Sequence, residues 1–242
     1  MRSLAWAVGL TVMGSLGGVL VASALLLFND QIRQKVVPWL VSYAVGTLLG
    51  VALLVLLPEA LSQLPARTVL GALLGGIMLF FLLEKLVLWR HCHTNDCEAH
   101  GMAAPMVLFG DAFHNFLDGV VIGTAVQTSV PLGVSTALAV ATHEIPQELG
   151  DFAILLDAGY SRQKALALNL ASGASAILGA VLAVVALDWM PRINQYVLSV
   201  AAASFLYVAM ADLIPDLHRG GDVGSVRQFL LISAGIVTIA LL

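Results

Sequence analysis

The sequence predicts an all-α polytopic membrane protein, and two properties of the whole chain lead to that prediction. Of its 242 residues, 60% are hydrophobic and only 11% are charged, whereas a soluble domain is about half apolar and about a quarter charged. Several apolar stretches also reach the roughly 20 residues that a helix needs to cross a bilayer. No soluble domain fits any part of the chain, and we expect no nucleic-acid partner.

Eight apolar spans, separated by short polar connections, fill the chain and predict eight transmembrane helices. The first span, residues 4–28, is longer than the hydrophobic core of a usual signal peptide, so we favour a retained helix over a cleaved signal. The other seven spans are residues 39–61, 67–89, 104–127, 131–156, 163–187, 194–214 and 226–242. We therefore treat residues 1–242 as a single transmembrane domain.

The basic residues predict how these spans are oriented. When the connections are assigned alternately from the N-terminus, the odd-numbered ones hold Arg33, Lys35, Lys85, Arg90, Arg162, Lys164, Arg219 and Arg227. The other side holds Arg2, Arg67 and Arg192. Because cytoplasmic loops are enriched in Lys and Arg, both termini are expected outside, and the loop at residues 90–101 is expected in the cytoplasm.

A short sequence pattern occurs twice in the chain. Residues 51–59 read VALLVLLPE and residues 208–216 read VAMADLIPD, and both fit V-A-x-x-x-L-[LI]-P-[DE]. The two copies end the second and seventh spans, which would run in opposite directions. Such opposed copies suggest an inverted-topology repeat, as in many secondary transporters, although a chance match in apolar sequence is the alternative.

Polar residues occur within the fourth span at helical spacing. The span carries D-A-F-H-N-F-L-D-G, in which Asp111, His114, Asn115 and Asp118 fall at i, i+3, i+4 and i+7. This spacing places all four side chains on one helical face. Ionisable groups inside a bilayer are costly, so they indicate a functional site by default.

The fifth span carries a second polar motif, H-E-I-P-Q-E-L-G-D. His143, Gln147 and Asp151 share one stripe of a helix, and Glu144 and Glu148 form the adjacent stripe. Two neighbouring spans therefore present two imidazoles, two amides and up to five carboxylates at membrane depth.

This combination of side chains predicts a site for a divalent metal ion. Buried charges are tolerated when they pair or coordinate a metal, and imidazole with carboxylate suits zinc, iron or manganese. The alternative is that the polar residues hold helices together by hydrogen bonds, but a group of this size favours ligands. For Asp111 and Asp151, at the ends of their motifs, a structural or water-facing role stays open.

An enzymatic alternative follows from the same fifth-span motif. H-E-I-P-Q resembles H-E-x-x-H, in which two His one turn apart bind zinc and Glu is the general base. Here Gln147 replaces the second His, and Pro146 is expected to break the helix on which that motif depends. An intramembrane zinc-dependent hydrolase with Glu144 as base is therefore the alternative, and we expect no enzyme. The chain also has no G-x-x-x-x-G-K-[ST] motif, which leaves ATP-driven pumping unsupported.

Metal-binding residue types also occur in the loop that follows the third span. They are His91, Cys92, His93, Cys97, Glu98 and His100. Their spacing matches no standard zinc site, so the loop is either a flexible cytoplasmic metal acceptor or an ordinary polar loop.

Carboxylates near the ends of the spans could attract cations at an entrance or an exit. The candidates are Glu59, Asp111, Asp151, Asp212 and Asp216. For Glu59 and Asp216, which each follow a proline, a simple role at a helix end is an equal alternative.

The two polar motifs resemble the signatures of a known family. H-N-F-L-D-G at 114–119 and H-E-I-P-Q-E-L-G-D at 143–151 are similar to the fourth- and fifth-helix motifs of the ZIP (Zrt/Irt-like) metal transporters. The resemblance continues in L-L-E-K-L-V-L-W at 82–89 and in F-L-Y-V-A-M-A-D-L-I-P-D at 205–216, and it covers most of the chain.

The resemblance implies an eight-helix bundle arranged as a three-two-three inverted repeat, in which helices one, four, five and six move against the others. It also implies import of a divalent cation into the cytoplasm. Zn²⁺ is the expected substrate, Fe²⁺, Mn²⁺ and Cd²⁺ are further possible substrates, and no organic cofactor is expected. A homodimer is implied as well. The compact chain and its short loops suggest a bacterial inner membrane.

The resemblance further implies two adjacent metal sites. The primary transport site would comprise His114, Asp118, His143 and Gln147. The second site would comprise Asn115 and Glu144 and would share Asp118, with Glu148 as a near neighbour.

The sequence departs from the family pattern at three places. Val51 and Val55 stand where relatives often carry an acidic residue and a His on helix two, and Ser172–Ala176 matches the place where some carry a carboxylate on helix six. Gln147 replaces a His seen in many relatives. Because a neutral amide is a weaker ligand than imidazole, the second site and the metal selectivity do not transfer directly.

Overall fold

The computed structural model describes residues 2–89, 99–219 and 224–242. The regular elements in these ranges are all helical, so the chain is an all-α polytopic membrane protein as predicted. By length and composition, five helices could cross a membrane: Arg2–Leu25, Gln31–Gln63, Ala66–Lys85, Arg162–Trp189 and Pro191–His218. A shorter apolar helix, Ser225–Ala240, follows them.

The described helices form eight stretches, numbered here in chain order. The bounds are α1 (Arg2–Thr11, Val12–Leu16 and Gly17–Leu25), α2 (Asp30–Gly50, Val51–Leu56 and Leu57–Gln63), α3 (Ala66–Trp89) and α4 (Ala99–Thr128). They continue with α5 (Val130–Asp157), α6 (Arg162–Gly173 and Ser175–Trp189), α7 (Pro191–Ile193, Asn194–Tyr207, Val208–Leu213 and Ile214–Arg219) and α8 (Ser225–Ala240). Each apolar span of the sequence overlaps one stretch, and the largest difference in bounds is at α2, which begins at Asp30 and not at residue 39.

Side-chain caps explain where several helices begin. The side chain of Asn29 accepts a hydrogen bond from the Ile32 amide at 3.0 Å, and it starts α2. Ser129 and Ser161 cap α5 and α6 in the same way. Such caps satisfy backbone N–H groups that a helix leaves without an internal partner. The turn between α5 and α6 contains Gly159 at a φ of 86°, a conformation that glycine adopts at little cost.

Three stretches contain a π-helical segment. These segments are Val12–Leu16 in α1, Val51–Leu56 in α2 and Val208–Leu213 in α7. The segments of α2 and α7 coincide with the repeated V-A-x-x-x-L pattern, and each is followed by an α-helical turn that begins one residue before the repeated proline. The two copies therefore share a local conformation as well as a sequence, and π-helical turns often lie at functional sites.

The expectation that Pro146 breaks the fifth helix is wrong. α5 runs without interruption from Val130 to Asp157, with Pro146 inside it. A proline costs a helix one backbone hydrogen bond, but packing against neighbouring helices can maintain a helix despite that loss. The His-Glu part of the motif consequently lies on one continuous helix.

The helices pack into two groups. α1, α4, α5 and α6 pack mainly on one another and form the α4 group, whereas α8 packs on α2, and α3 packs on α7, to form the α2 group. Glycines allow the close approaches within each group. A Cβ at Gly119 of α4 would overlap the carbonyl oxygen of Ala176 in α6, and a Cβ at Gly46 of α2 would overlap that of Ile232 in α8.

One face of α3 is apolar and exposed. Leu70, Leu74, Met78 and Leu82, four residues apart, are all exposed. Exposed apolar side chains along a whole helix are expected where the surroundings are lipid, so this face fits the outside of a membrane protein.

Candidate metal centre

Four side chains from α4 and α5 converge inside the α4 group. His114, Asp118, His143 and Glu144 each offer one ligand atom, and these atoms lie within 4.8 Å of one another. His143 Nε2 is 3.2 Å from His114 Nε2 and 3.1 Å from Asp118 Oδ2. His114 Nε2 is 3.5 Å from Glu144 Oε1. We call these four residues the metal centre.

The centre is enclosed by protein on most sides. Asp118 is 3% exposed, His143 1% and Glu144 0%, while His114 is half-buried. Apart from the two imidazoles, Asp118 Oδ2 and both carboxylate oxygens of Glu144 have no hydrogen-bond partner. Buried carboxylates without partners are costly unless they coordinate a cation. Two imidazoles and two carboxylates match the ligands that zinc takes in proteins.

A hydrogen bond outside the centre sets which nitrogen of His143 faces inward. His143 Nδ1 lies 3.0 Å from the carbonyl oxygen of Ala139, one turn earlier in α5. When Nδ1 donates to that carbonyl, Nε2 keeps its lone pair and points it towards the centre. Such backbone anchors orient the ring and fix its tautomer at metal sites.

An open cavity of about 300 Å³ reaches the metal centre from the α2 group. Its lining includes His114 and Asp118 of the centre, with Glu84 of α3 and Tyr207 and Asp212 of α7. The Tyr207 hydroxyl donates a hydrogen bond to the Glu84 carboxylate. The cavity thus joins the centre to a rim that carries two carboxylates.

Asn115 lies next to the metal centre but is turned away from it. Its Nδ2 donates to Asp111 Oδ1 at 2.9 Å, and its Oδ1 accepts from the Ser15 hydroxyl in the π-helical segment of α1. Both ends of the amide are therefore engaged by other residues. The structure places Asn115 in a link between α1 and α4.

The other residues predicted on α5 lie further along the helix. Gln147 is half-buried and lies one turn after His143. Glu144, which directly follows His143, is the fourth member of the metal centre. Glu148 is fully buried and Asp151 is half-buried, both beyond the centre towards the end of α5.

The predicted entrance and exit residues are spread over the molecule. Asp212 lines the cavity, Asp216 is exposed one turn later, and Glu59 is half-buried near the end of α2. His91, Cys92, His93 and Cys97 of the predicted metal-handling loop lie outside the described residues. The side chain of His100 lies outside them too.

Sequence reasoning missed Glu84, Tyr207 and Ser15. An acidic residue inside an apolar span is itself a functional signal, and Glu84 carried that signal. Tyr207 and Ser15 carried none, because their partners Glu84 and Asn115 are distant in the chain.

The chain was compared with known families and proteins. The model of the family described as Zip, ZIP Zinc transporter, matches residues 89–242. "Zinc transporter ZIP10" of Homo sapiens is 39% identical over 155 residues, which are 60% of this chain and 19% of that protein. "Zinc transporter ZIP4" of Homo sapiens is 43% identical over 132 residues, or 54% of this chain and 20% of that protein. This chain therefore spans about a fifth of the length of those two relatives.

A further relative matches over most of both chains. "Zinc transporter ZIP13" of Pongo abelii is 32% identical over 236 residues, which are 88% of this chain and 70% of that protein. The matched residues 89–242 of this chain include both polar motifs and all four residues of the metal centre. On this family match and this long alignment, the chain belongs to the ZIP zinc transporter family.

Proposed function

We propose that this chain carries divalent metal cations, with Zn²⁺ as the principal substrate, into the cytoplasm through the metal centre. The observation that carries the proposal is the convergence of two imidazoles and two buried carboxylates between α4 and α5. The relatives named above are called zinc transporters, which supports zinc as the substrate. Fe²⁺, Mn²⁺ and Cd²⁺ are proposed as further substrates, since imidazole and carboxylate also suit such ions.

The proposed topology has eight transmembrane helices, both termini outside and a three-two-three inverted repeat within the single domain 1–242. The matching π-helical segments of α2 and α7 support the repeat. The distribution of Lys and Arg supports the orientation. We further propose a homodimer in a bacterial inner membrane. The relatives named above are animal proteins, so that location rests on the compact chain and its short loops.

In the proposed mechanism, His114, Asp118, His143 and Glu144 hold the ion, and the α4 group moves against the α2 group. The α2 group contributes an apolar wall, where the Phe205 ring lies 6.1 Å from the His143 ring. The ion then leaves through the cavity, past the carboxylates of Glu84 and Asp212. Negatively charged side chains at the rim of a cleft raise the local concentration of cations.

The remaining predicted ligands keep subsidiary roles in this proposal. Gln147 joins the primary centre from one turn below His143, and Asn115 contributes to a second adjacent ion position when its amide turns. Glu148 is their buried neighbour. Glu59 and Asp216 are proposed at the mouths, and the His/Cys loop at residues 90–101 is proposed as a cytoplasmic metal acceptor.

The test is zinc uptake by the purified chain in proteoliposomes. His143→Ala removes one ligand and the ring that Ala139 orients, so uptake should fall to the level of protein-free vesicles. His218→Ala, at an exposed position on α7, is the matched control and should transport normally. Unchanged zinc uptake by the His143→Ala protein would exclude the assignment of the centre.

A hydrolase is not favoured as the function of this site. The uninterrupted α5 removes one argument against it, because His143 and Glu144 lie on a regular helix. However, the second His of the hydrolase motif is still Gln147. The relatives named above are all called transporters, and we therefore keep transport as the proposal.

A further inference from the structure

A second group of buried polar side chains lies within the α4 group, beside the metal centre. Its members are Asp111 of α4, Glu148 and Asp151 of α5 and Asn169 of α6, and we call them the carboxylate–amide cluster. Asp111 is 5% exposed, while Glu148 and Asn169 are 0% exposed. The Asn169 amide lies beside the Glu148 carboxylate, and the Asp151 and Asp111 carboxylates lie beside each other.

Most polar atoms of this cluster have no hydrogen-bond partner. Both carboxylate oxygens of Glu148, both polar atoms of the Asn169 amide and Oδ2 of Asp111 are buried without one. A carboxylate can avoid the cost of burial by taking up a proton, but an amide has no such option. A buried amide without partners therefore indicates a ligand, because buried polar groups are nearly always hydrogen-bonded or coordinated.

The cluster is chemically different from the metal centre. Its side chains offer oxygen atoms and one amide nitrogen, whereas half the ligands of the metal centre are imidazoles. Asn115, which follows His114 in α4, donates from Nδ2 to Asp111 Oδ1 and accepts at Oδ1 from the Ser15 hydroxyl. Oxygen-only sites suit hard cations such as Mg²⁺, Ca²⁺ and Mn²⁺, while imidazole suits zinc.

We propose that the carboxylate–amide cluster binds a hard divalent cation, in addition to the ion carried by the metal centre. The carboxylates of Asp111, Glu148 and Asp151 supply the charge, and the Asn169 carbonyl supplies a neutral ligand. The carboxylates lie on α4 and α5, with the amide on α6, and they are not drawn together as tightly as the ligand atoms of the metal centre. The ion keeps some of its water there, as hard cations commonly do. Its binding links α4, α5 and α6 independently of zinc transport.

The experiment measures Mn²⁺ binding to the purified full-length chain in detergent. The electron paramagnetic resonance signal of free Mn²⁺ reports how much of the ion is bound. The background is the His114→Ala/His143→Ala protein, in which the metal centre lacks both imidazoles. This protein should still bind one Mn²⁺. Added Glu148→Gln or Asn169→Leu should weaken that binding by about tenfold to a hundredfold, as loss of supporting groups does at other metal sites.

The matched control is Asp188→Asn, which neutralises an exposed carboxylate of α6 outside both sites and should leave Mn²⁺ binding unchanged. If Glu148→Gln does not yield folded protein, Asp151→Asn at a half-buried position gives the same readout. The proposal is overturned if the double-His protein binds no Mn²⁺, in which case the carboxylates are protonated. It is also overturned if neither Glu148→Gln nor Asn169→Leu weakens Mn²⁺ binding. Zinc uptake by the otherwise unchanged chain is scored separately, so failure of transport and failure of this site are distinguishable.

Discussion

The α4 group and the α2 group differ in where they place ionisable side chains. Among the described residues, the buried Asp, Glu and His side chains all lie on α4 and α5; they are Asp111, Asp118, His143, Glu144 and Glu148. In the α2 group, Glu59 and Glu84 are half-buried and Asp212 is exposed. Among the described residues, the buried ionisable side chains thus lie on the two helices that carry the metal centre, while the α2 group supplies an apolar surface and a cavity rim.

The two π-helical segments of the α2 group show a second difference. In the repeat, Asp212 of α7 occupies the position of Val55 in α2. Asp212 lines the cavity that reaches the metal centre, whereas the α2 segment buries Val51 and Leu56 in the apolar core. Both copies pack in the apolar core, but only the α7 copy also places a carboxylate in the lining of the cavity.

The largest expected effect comes from disturbing the packing that builds the α4 group. In Gly119→Val the new side chain would overlap the Ala176 carbonyl of α6. Overpacking of this kind costs about 1–3 kcal/mol and sometimes more, so the unfolding temperature in detergent should fall and zinc uptake should be lost. Gly110→Val on the same helix is the control for the unfolding temperature alone, because a Cβ there meets nothing within 4 Å but Gly110 lines the cavity. Equal unfolding temperatures for the two variants would contradict the close α4–α6 contact.

Much of this architecture could be predicted from the sequence, because apolar spans and polar connections are set by composition along the chain. The π-helical geometry could not be predicted, since it depends on packing between helices. The repeated pattern did indicate that residues 51–59 and 208–216 are equivalent, and the structure gives both copies the same conformation. The uninterrupted α5 was missed because the rule for proline considers one helix without its neighbours.

The residue types of the metal centre could be predicted from the sequence, whereas the grouping of its ligands came from the family resemblance. His114, Asp118, His143 and Gln147 stay the predicted primary set, and Glu144 stays in the predicted adjacent set. The structure brings ligand atoms of His114, Asp118, His143 and Glu144 within 4.8 Å of one another, so a carboxylate of the adjacent set lies with three residues of the primary set. Helical spacing alone could not predict this, because it depends on how α4 packs against α5.

An intermediate effect is expected from Asp212→Val, which gives α7 the residue that α2 carries at the equivalent position, Val55. Asp212→Val removes one carboxylate from the rim of the cavity and leaves the metal centre intact. Zinc uptake should fall by about tenfold at low ionic strength, because the charged rim concentrates cations, and the loss should shrink as salt is added. Zinc binding measured by calorimetry should stay unchanged. Asp188→Asn, which neutralises an exposed carboxylate of α6 outside the cavity, is the control. An Asp212→Val protein with normal uptake at low salt would remove this rim from the ion route.

The smallest expected effect concerns a hydrogen bond between the two groups. Asn194 Nδ2 of α7 donates to the Thr128 hydroxyl at the end of α4, at 2.7 Å. A second such bond joins Thr47 of α2 to Thr142 of α5 at 2.7 Å. If the groups move against each other, each bond stabilises only the arrangements in which it forms. One neutral hydrogen bond contributes about 1 kcal/mol, so its loss should change the balance between arrangements several-fold.

A double-mutant cycle separates this bond from the general effect of the substitutions. Thr128→Val, Asn194→Leu and the double variant are compared in zinc uptake rate and in unfolding free energy. Each single variant leaves one polar group without its partner, whereas the double variant leaves none, so the two losses should not add. The coupling between the two substitutions should be about 1 kcal/mol in the unfolding free energy. The two substitutions should also be non-additive in the zinc uptake rate. Coupling in stability without coupling in uptake would mean that the contact is maintained throughout transport. In that case the α4 and α2 groups would stay in contact where the end of α4 meets the start of α7.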